Sequence, residues 1–235
     1  MAAKTLTIDG TLVSAREGES ILEAAREAGI TIPTLCHLDG LSEVGACRLC
    51  LVELTGSRRL QPACLTPVAE GMEVRTSTER LREHRRAIVE LLFAERGHVC
   101  AVCVASGACE LQDLAARLGV THVRYDYLAP ACTVDISHPR FGIDHHRCVL
   151  CTRCVRACDE VEGVHTWDVA GRGTAARVIT DLHVPWGQAT SCTSCGKCLH
   201  ACPTGAIFQR GSSVAELKRD PGVIALVVAA RKERW

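Results

Sequence analysis

Apolar and polar positions alternate at the start of the chain. "KTLTI" and "TLV" alternate on either side of Asp9-Gly10, and an Asp-Gly connection between such segments predicts a β-hairpin. A helical segment follows, which Ser20 begins and for which Glu23 completes a capping box. "CLVEL" and "GMEVRT" have the composition of further strands. Two strands, a helix and more strands predict a β-grasp-like fold.

Helical periodicity is the next pattern. A helix over about 79–95 is predicted to begin with a Thr76/Glu79 capping box. Its expected apolar face consists of Leu81, Ile88, Leu91 and Leu92. A shorter helix is predicted over about 110–118, and residues 120–145 look irregular. Further on, "HTWDV" and "ARVIT" predict a second hairpin.

These elements predict an α+β protein with four segments. The segments are 1–78, a β-grasp-like domain; 79–120, a short helical domain with three cysteines and a histidine; 121–211, a domain with repeated cysteines; and 212–235, a C-terminal docking tail. The longest apolar run, near residues 222–230, has about half the length of a membrane span. We therefore expect no membrane span, and the tail either docks a partner or packs on its own domain.

Composition adds a reason to look for metal. The chain of 235 residues has 16 cysteines and only 3% aromatic residues, which favours small cores held by disulfides or metals. The start "MAAKTLTIDG" lacks the apolar run of a secretory signal. We therefore expect a cytoplasmic protein whose cysteines bind metal. The formal net charge of zero argues against a nucleic-acid partner.

Two copies of one cysteine spacing carry the strongest signal. The pattern is Cys-x2-Cys-x2-Cys-x3-Cys in both copies, and Pro203 follows the second. Three cysteines of such a copy hold one cubane, and the fourth binds the cluster of the other copy. The spacing therefore predicts one [4Fe–4S] cluster on Cys148, Cys151, Cys154 and Cys202, and another on Cys192, Cys195, Cys198 and Cys158. Zinc sites instead use two Cys-x2-Cys pairs for each metal ion.

The N-terminal cysteines have a different spacing. Cys36, Cys47, Cys50 and Cys64 form a close pair with one remote residue on each side. Plant-type [2Fe–2S] ferredoxins share the close pair and the remote fourth cysteine, although their first gap is shorter. On a β-grasp-like domain this set favours a [2Fe–2S] cluster over a structural zinc ion. The cysteine spacings thus predict that 1–78 is a β-grasp [2Fe–2S] ferredoxin-like domain and that 121–211 is a two-cluster bacterial ferredoxin-like domain.

The middle group is one ligand short. It contains Cys100, Cys103 and Cys109, so a third [4Fe–4S] cluster needs a ligand that is not cysteine. His98 lies two residues before Cys100, and imidazole is an accepted ligand in iron–sulfur proteins. We therefore predict His98 as the fourth ligand. His84 and His122 are the alternatives, and Cys132 is left over as an unliganded thiol.

The order of these motifs resembles a known family. The segments "TLCHLDGLSEVGACRLC", "HVCAVCVASGACELQ", "HHRCVLCTRCVRACDEVEG" and "SCTSCGKCLHACPTGAIF" resemble the N-terminal region of the large iron–sulfur subunit of respiratory complex I and the accessory domains of [FeFe] hydrogenases. They are most similar to the small diaphorase subunit of cytoplasmic NAD-reducing [NiFe] hydrogenases. Complex I has His-x3-Cys in the middle motif, where this chain has Arg96, which cannot ligate.

The resemblance implies a function as well as a fold. It implies an electron-transfer subunit of a hydrogen:NAD+ oxidoreductase, with one [2Fe–2S] and three [4Fe–4S] clusters and no catalytic site of its own. The implied partners are a flavin/NAD-binding diaphorase subunit, which would hold FMN and NAD, and the small and large subunits of a [NiFe] hydrogenase, together in a hetero-oligomer.

Other functions remain open from sequence. One is the equivalent subunit of an NAD-linked formate dehydrogenase or of a complex I-like NADH dehydrogenase, and another is a zinc-stabilised interaction or nucleic-acid-binding module. Gly171-Arg172-Gly173 opens a G-x-G-x-x-A pattern, but a dinucleotide fingerprint follows a strand and opens a helix. Because β-branched residues follow here, a hairpin explains the glycines better, and no nucleotide site is expected.

Overall fold

The structure is a computed structural model that describes residues 3–128 and 130–233. It divides into two compact units. The first takes the chain up to His37 together with Glu43–Ile88, and the second takes Leu38–Ser42 and the chain from Val89 onward. The division therefore falls inside the long helix Glu79–Glu95.

The first unit is built on a five-stranded sheet. The strand order is β2-β1-β5-β3-β4, with β1 and β5 parallel and the other neighbours antiparallel. A helix, α1, follows the β1–β2 hairpin, so the predicted β-grasp-like fold is confirmed. The elements are β1 (Ala3–Ile8), β2 (Thr11–Arg16), α1 (Ile21–Glu27), β3 (Leu51–Leu54), β4 (Gln61–Pro62) and β5 (Glu73–Arg75).

Local sequence explains the first hairpin and helix. Asp9 and Gly10 both have positive φ, 48° and 83°, as a tight two-residue hairpin turn requires. Ser20 and Glu23 form the predicted capping box, with the Ser20 hydroxyl accepting from the Glu23 N–H. The sheet and α1 then enclose a core of apolar side chains that includes Leu6, Ile8, Ile21, Leu22, Val52 and Val74.

The long helix α2 (Glu79–Glu95) corrects two predictions. Thr78, rather than Thr76, caps its start, because the Leu81 N–H donates to Thr78 Oγ1 at 3.3 Å. Thr76 is instead bonded to Asp9 through its backbone N–H (2.8 Å) and its hydroxyl. Leu91, predicted on the apolar face, is 49% exposed. Both errors have the same cause: helical periodicity does not distinguish between neighbouring threonines or leucines, and only tertiary contacts decide which threonine caps the helix and which leucine is buried.

The second unit contains two small sheets and four helices after α2 within its described part. One sheet has the order β10-β7-β6 and the other is the β8–β9 hairpin. The prediction of irregular structure over 120–145 was wrong in part, since β6 and β7 lie there. The elements are α3 (Glu110–Arg117), β6 (Val134–Asp135), β7 (Phe141–Asp144), α4 (Arg153–Arg156), β8 (Trp167–Ala170), β9 (Arg177–Thr180), α5 (Lys197–Ala201), β10 (Ile207–Gln209) and α6 (Gly222–Lys232).

The predicted second hairpin is confirmed. Strands β8 and β9 pair antiparallel along their whole length, and the glycines of the G-x-G pattern form their connection. Gly171 has a φ of 78°, and a Cβ there would lie 2.4 Å from the carbonyl oxygen of Ala175. The pattern therefore serves a tight turn and does not open a helix longer than the one-turn 3-10 segment Gly173–Ala175.

The helices near the repeated cysteines are short and packed together. Helix α4 continues into a π-helical segment, Ala157–Glu162, and α6 packs against this segment and α5 through Ile224, which is fully buried. The tail therefore packs on its own unit through one face of α6, and its docking of a partner stays a prediction. Among the described residues, no helix is long and apolar enough to cross a membrane.

Candidate functional site

The four cysteines of the first unit form two close pairs. The Sγ atoms of Cys36 and Cys47 lie 3.4 Å apart, and those of Cys50 and Cys64 lie 3.5 Å apart. A tetrahedral metal ion with sulfur bonds of about 2.3 Å holds two thiolates about 3.8 Å apart. Each pair is therefore spaced to bind one metal ion, and the four cysteines together can hold two.

The loop around Cys47 reaches this geometry through left-handed backbone. Gly45 and Arg48 have φ values of 60° and 56°. A Cβ on Gly45 would lie 2.5 Å from Leu65 Cδ1, so the Leu65 side chain would have to move, and the positive φ itself favours glycine. A hydrogen bond from the Cys36 thiol lowers the pKa of Cys47 to about 6. One thiolate of this pair is therefore available at neutral pH.

A buried arginine supports this loop and was not predicted. Arg85, on α2, donates to the carbonyl oxygens of Leu49 (3.0 Å), Leu51 (2.9 Å) and Thr76 (2.8 Å). Burial lowers the pKa of Arg85, and the neighbouring Cys50 opposes that change. The sequence did hold a sign of its burial: Arg85 lies one turn after the buried Leu81 and therefore falls on the buried face of the helix.

In the second unit, the middle cysteines and His98 line one cavity. The Nε2 atom of His98 is buried and has no hydrogen-bond partner among the described residues. Burial, with the charges of Arg96 and Arg147, lowers the pKa of His98 to about 4. The imidazole is therefore neutral at pH 7, with a nitrogen free to bind metal. The four potential ligands that line this cavity are His98, Cys100, Cys103 and Cys109.

Two more cavities are lined by the repeated cysteines. One is lined by Cys148, Cys151, Cys154 and Cys202, and the other by Cys158, Cys192, Cys195 and Cys198. The empty space in the three cavities is about 300, 320 and 320 Å³, so they suit occupants of one size. Within residues 3–128 and 130–233, no three Cys, His, Asp or Glu side chains converge closely enough to hold a single metal ion.

The two repeated loops have the same backbone geometry. Leu150 and Thr152 have φ of 51° and 58° in the first loop, and Ser194 and Gly196 have φ of 58° and 78° at the corresponding positions of the second. These left-handed residues curl each loop around its cavity. The fourth cysteine of each copy lies one turn further along and lines the cavity of the other copy.

Burial controls the protonation of the cysteines in the cavity lined by Cys148, Cys151, Cys154 and Cys202, which is called the second cavity below. It raises the pKa of Cys148 to about 11 and that of Cys151 to about 12. These thiols therefore hold their protons at pH 7 unless positive charge enters the cavity. All 16 cysteines lie among the described residues, and none of them forms a disulfide. Such sites suit a bound metal cluster, whose charge stabilises thiolates.

Thr204 lines two cavities, the one that contains His98 and the one lined by Cys148, Cys151, Cys154 and Cys202. Its hydroxyl donates to the carbonyl oxygen of Arg147 at 2.6 Å, and its own carbonyl accepts from Cys202 Sγ at 3.3 Å. At the next residue, Gly205, a Cβ would lie 2.7 Å from Cys103 Sγ. Neither residue was predicted, because only the folded chain brings them between the cysteines.

Basic residues of the motifs are engaged in specific contacts. Arg153 is buried and donates to both carboxylate oxygens of Glu110, at 2.6 and 2.8 Å. Arg156, also buried, donates to the carbonyl oxygens of Cys151 (3.2 Å) and Ser42. These two arginines place positive charge beside the second cavity, while Arg48 is exposed. Arg147 pairs with Asp144, and Lys197 pairs with Glu162.

The remaining candidates lie away from the cavities. His84 and His122 are exposed and do not line the middle cavity. Cys132 lies outside all three cysteine-lined cavities, with Arg96 Nη1 4.0 Å from its sulfur. Arg96 itself is buried and donates to the carbonyl oxygens of His145 (2.9 Å) and Ala176 (2.6 Å). It therefore has a structural role at the position where complex I has histidine.

Three protein families match consecutive parts of the chain. Residues 2–79 match a 2Fe-2S iron-sulfur cluster binding domain. Residues 85–124 match the NADH-ubiquinone oxidoreductase-G iron-sulfur binding region, and residues 139–208 match the ferredoxin-like domain of NADH-quinone oxidoreductase subunit 3. The fold class is thereby confirmed, as is the binding of both [2Fe–2S] and [4Fe–4S] clusters by these domain types.

Individual relatives are subunits of hydrogenases. Subunit HndD of the NADP-reducing hydrogenase of Solidesulfovibrio fructosivorans is 37% identical over 98% of this chain, which spans 40% of HndD. Subunit gamma of the NAD-reducing hydrogenase HoxS of Cupriavidus necator is 32% identical, with 87% of this chain and 86% of that subunit aligned. A chain of the NAD+-reducing [NiFe]-hydrogenase in its H2-reduced state superposes with a TM-score of 0.85 and 36% identity, covering 90% of this chain and 89% of that one.

The fold and the cysteine-lined sites together define an iron–sulfur electron-transfer protein. Its relatives are parts of multi-subunit oxidoreductases rather than enzymes that act alone. The chain belongs to the family of iron–sulfur subunits of NAD-reducing hydrogenases, which is related to the N-terminal region of the large iron–sulfur subunit of complex I.

Proposed function

We propose that this chain relays electrons through one [2Fe–2S] and three [4Fe–4S] clusters. The observation that carries the proposal is that three cavities of nearly equal size are each lined by four predicted ligands. The proposed ligand sets are Cys36, Cys47, Cys50 and Cys64 for [2Fe–2S], and His98, Cys100, Cys103 and Cys109; Cys148, Cys151, Cys154 and Cys202; and Cys158, Cys192, Cys195 and Cys198 for the cubanes.

In the first unit, the pairing of sulfur atoms suggests how two irons are shared. Cys36 and Cys47 bind one iron, and Cys50 and Cys64 bind the other, because each of these pairs has about the separation of two ligands on one tetrahedral ion. Arg85 fixes the carbonyl groups of the same loop and holds a positive charge near Cys50. It thereby offsets part of the negative charge of the thiolates.

Iron–sulfur clusters supply one-electron redox chemistry with little rearrangement, and the protein sets their potentials. The chain contributes ligands most of which are buried, which limits the access of water. His98 contributes a neutral ligand in place of a thiolate, which favours reduction because the site carries one negative charge less. Thr204 lines two of the proposed cluster sites, so these sites are neighbours, as electron transfer between them requires.

The proposed assembly is a cytoplasmic hetero-oligomer. On one side, a flavin/NAD-binding diaphorase subunit exchanges electrons with NAD(H); on the other, the small and large subunits of a [NiFe] hydrogenase exchange electrons with hydrogen. The similarity to subunits whose names specify NAD-reducing hydrogenases supports this assignment. This chain then needs no catalytic site or nucleotide site of its own.

The cluster content is tested by anaerobic purification and analysis of iron and acid-labile sulfide. We expect about 14 iron atoms for each chain, two from the [2Fe–2S] cluster and four from each cubane, with a matching amount of sulfide. Stoichiometric zinc without sulfide would instead identify the zinc-stabilised module. Co-purification from the native source, with nickel, molybdenum and tungsten measured in the complex, separates a hydrogenase partner from a formate dehydrogenase.

The need for a flavin partner is tested by NADH oxidation. The isolated chain should not oxidise NADH or bind it tightly in calorimetry, and activity should appear when the flavin-bearing subunit is added. Tight binding of NADH to the chain alone contradicts the proposed division of labour.

A further inference from the structure

Two tryptophans form part of the wall of the cavity lined by Cys158, Cys192, Cys195 and Cys198. Trp167 and Trp186 are both buried, and Trp186 is the largest fully buried side chain of the described residues. The indole N–H of Trp186 donates to Cys192 Sγ at 3.3 Å. A buried indole therefore points its positive dipole end at a proposed cluster ligand.

The Trp186 indole is held in this orientation from several sides. Its backbone N–H donates to Asp135 Oδ2 at 2.7 Å. Its ring stacks on Phe141 with centroids 5.7 Å apart, and the His138 ring lies 4.8 Å away. His138 accepts backbone N–H bonds at Nδ1, so its Nε2 carries the proton that it donates to Ser194 Oγ. The N–H···S bond thus belongs to a packed aromatic cluster.

Trp167 packs against Trp186 in the same wall. Its ring meets that of Trp186 edge to face, with centroids 4.7 Å apart. One of the four proposed ligands of this cluster, Cys192, therefore receives an indole N–H from the wall.

The cavity of the other repeat has no such wall. Around Cys148, Cys151, Cys154 and Cys202 the non-cysteine lining is mostly aliphatic, with Ile143, Val149, Val178 and Ile207. The buried charges of Arg153 and Arg156 lie nearby instead. The two copies share their spacing and their loop backbone, so the tryptophans distinguish one site from the other.

A hydrogen bond to a ligating sulfur changes the reduction potential of a cluster. Reduction adds one electron, breaks no bond and needs no proton. An N–H dipole directed at the sulfur stabilises the added negative charge, and it acts strongly in a buried site, where the effective dielectric constant is low. Each such bond should therefore make reduction easier and raise the potential.

We propose that Trp186 is a positioning residue that raises the reduction potential of the cluster held by Cys158, Cys192, Cys195 and Cys198. This inference rests on the proposed function. The chain then adjusts its two repeat-related clusters by different means, with an indole hydrogen bond at one and guanidinium charge at the other.

The test is a redox titration of the full-length, cluster-loaded chain, followed by electron paramagnetic resonance. Trp186→Phe and Trp186→Leu both remove the N–H, and the first keeps an aromatic ring. Phe141→Leu is the matched control, since it disturbs the same stack without removing a donor. Cys195→Ser, at the one exposed cysteine of the chain, identifies which signal belongs to this cluster. Iron and sulfide are measured for every variant.

We expect the signal marked by Cys195→Ser to titrate at a more negative potential in both Trp186 variants. The other signals and the Phe141→Leu control should be unchanged. The inference is overturned if either tryptophan variant with full iron content keeps the original potential, or if Phe141→Leu shifts it equally. If one variant loses its cluster, the other decides. A wild-type chain without iron and sulfide would overturn the proposed function itself.

Discussion

Arg153 and Glu110 form a bidentate ion pair, with N–O distances of 2.6 and 2.8 Å. Arg153 lies between Cys151 and Cys154, and Glu110 directly follows Cys109. The Glu110 N–H also donates to the carbonyl oxygen of Pro203 at 2.9 Å. The pair therefore joins two segments, one that lines the cavity of His98 and Cys109 and one that lines the cavity of Cys151 and Cys154.

Glu110→Gln should destabilise the second unit, because it leaves the buried Arg153 guanidinium without a charged partner. We expect a loss of about 1–3 kcal/mol, since the Glu110 side chain is partly exposed. Anaerobic denaturant unfolding, with the visible absorbance of the clusters as the signal, measures it. Glu79→Gln breaks the exposed Arg82–Glu79 pair and should cost less than about 1 kcal/mol. Equal losses would contradict the importance of burial.

His98→Cys should keep the middle cluster and lower its potential, because a thiolate adds one negative charge. His98→Ala should leave one iron without a protein ligand and favour its loss. Iron analysis and a redox titration distinguish these results, and His84→Ala, at an exposed histidine, is the matched control. A full cubane with unchanged potential in His98→Ala would show that His98 is not the ligand.

Gly205→Ala should displace the middle cluster, since the new Cβ would lie 2.7 Å from Cys103 Sγ. We expect iron to fall by up to about four atoms for each chain, with the [2Fe–2S] signal retained. Gly222→Ala is the control, because its nearest neighbour is an Asp220 side chain at 3.1 Å. An unchanged middle cluster in Gly205→Ala would mean that the backbone around Cys103 is adaptable.

Acid should weaken the middle site through His98. Its pKa is about 4 in the folded chain and about 6.5 when unfolded, so the unfolded chain binds more protons between these values. This contribution to stability is complete above about pH 6.5 and is lost as the pH falls towards 4. Cluster loss measured from pH 7.5 to 4.5 should show this dependence in wild type and in His84→Ala. His98→Cys should lack it, and an identical profile in that variant would contradict the assignment.

Helix α6 offers a matched pair of substitutions for the docking role of the tail. Leu226 is 67% exposed, whereas Ile224 is fully buried. Leu226→Glu should weaken co-purification with the partner subunits and leave iron content unchanged. Ile224→Ala should instead cost about 2–5 kcal/mol of stability. Full assembly of Leu226→Glu would argue that α6 serves only its own unit.

The sequence was most informative where covalent spacing restricts geometry. Cys148 and Cys151 had to lie on one short loop, and Cys158 had to point to a different site from Cys154, because a short loop wraps only three corners of a cubane. His98 was found by counting ligands, and its unpartnered Nε2 supports that interpretation without testing it.

Other features depend on contacts between distant segments and were not predictable. Trp186 meets Cys192 only after the β6–β7 region has folded against the second motif. Thr78 caps α2 because Asp9 already binds Thr76. Such choices between equivalent residues are made by tertiary structure, which periodicity does not contain.

The exchange of fourth cysteines has a consequence for assembly in the cell. Under the proposed ligand sets, α4 with its π-helical extension carries ligands of both repeat-related clusters, and so does α5 together with Cys202, the residue that directly follows it. Inserting either cofactor orders the helices that the other needs, and oxidative loss of one releases an anchor of its neighbour. Maturation and oxygen damage should therefore proceed in pairs, so that a population of chains contains both of these clusters or neither.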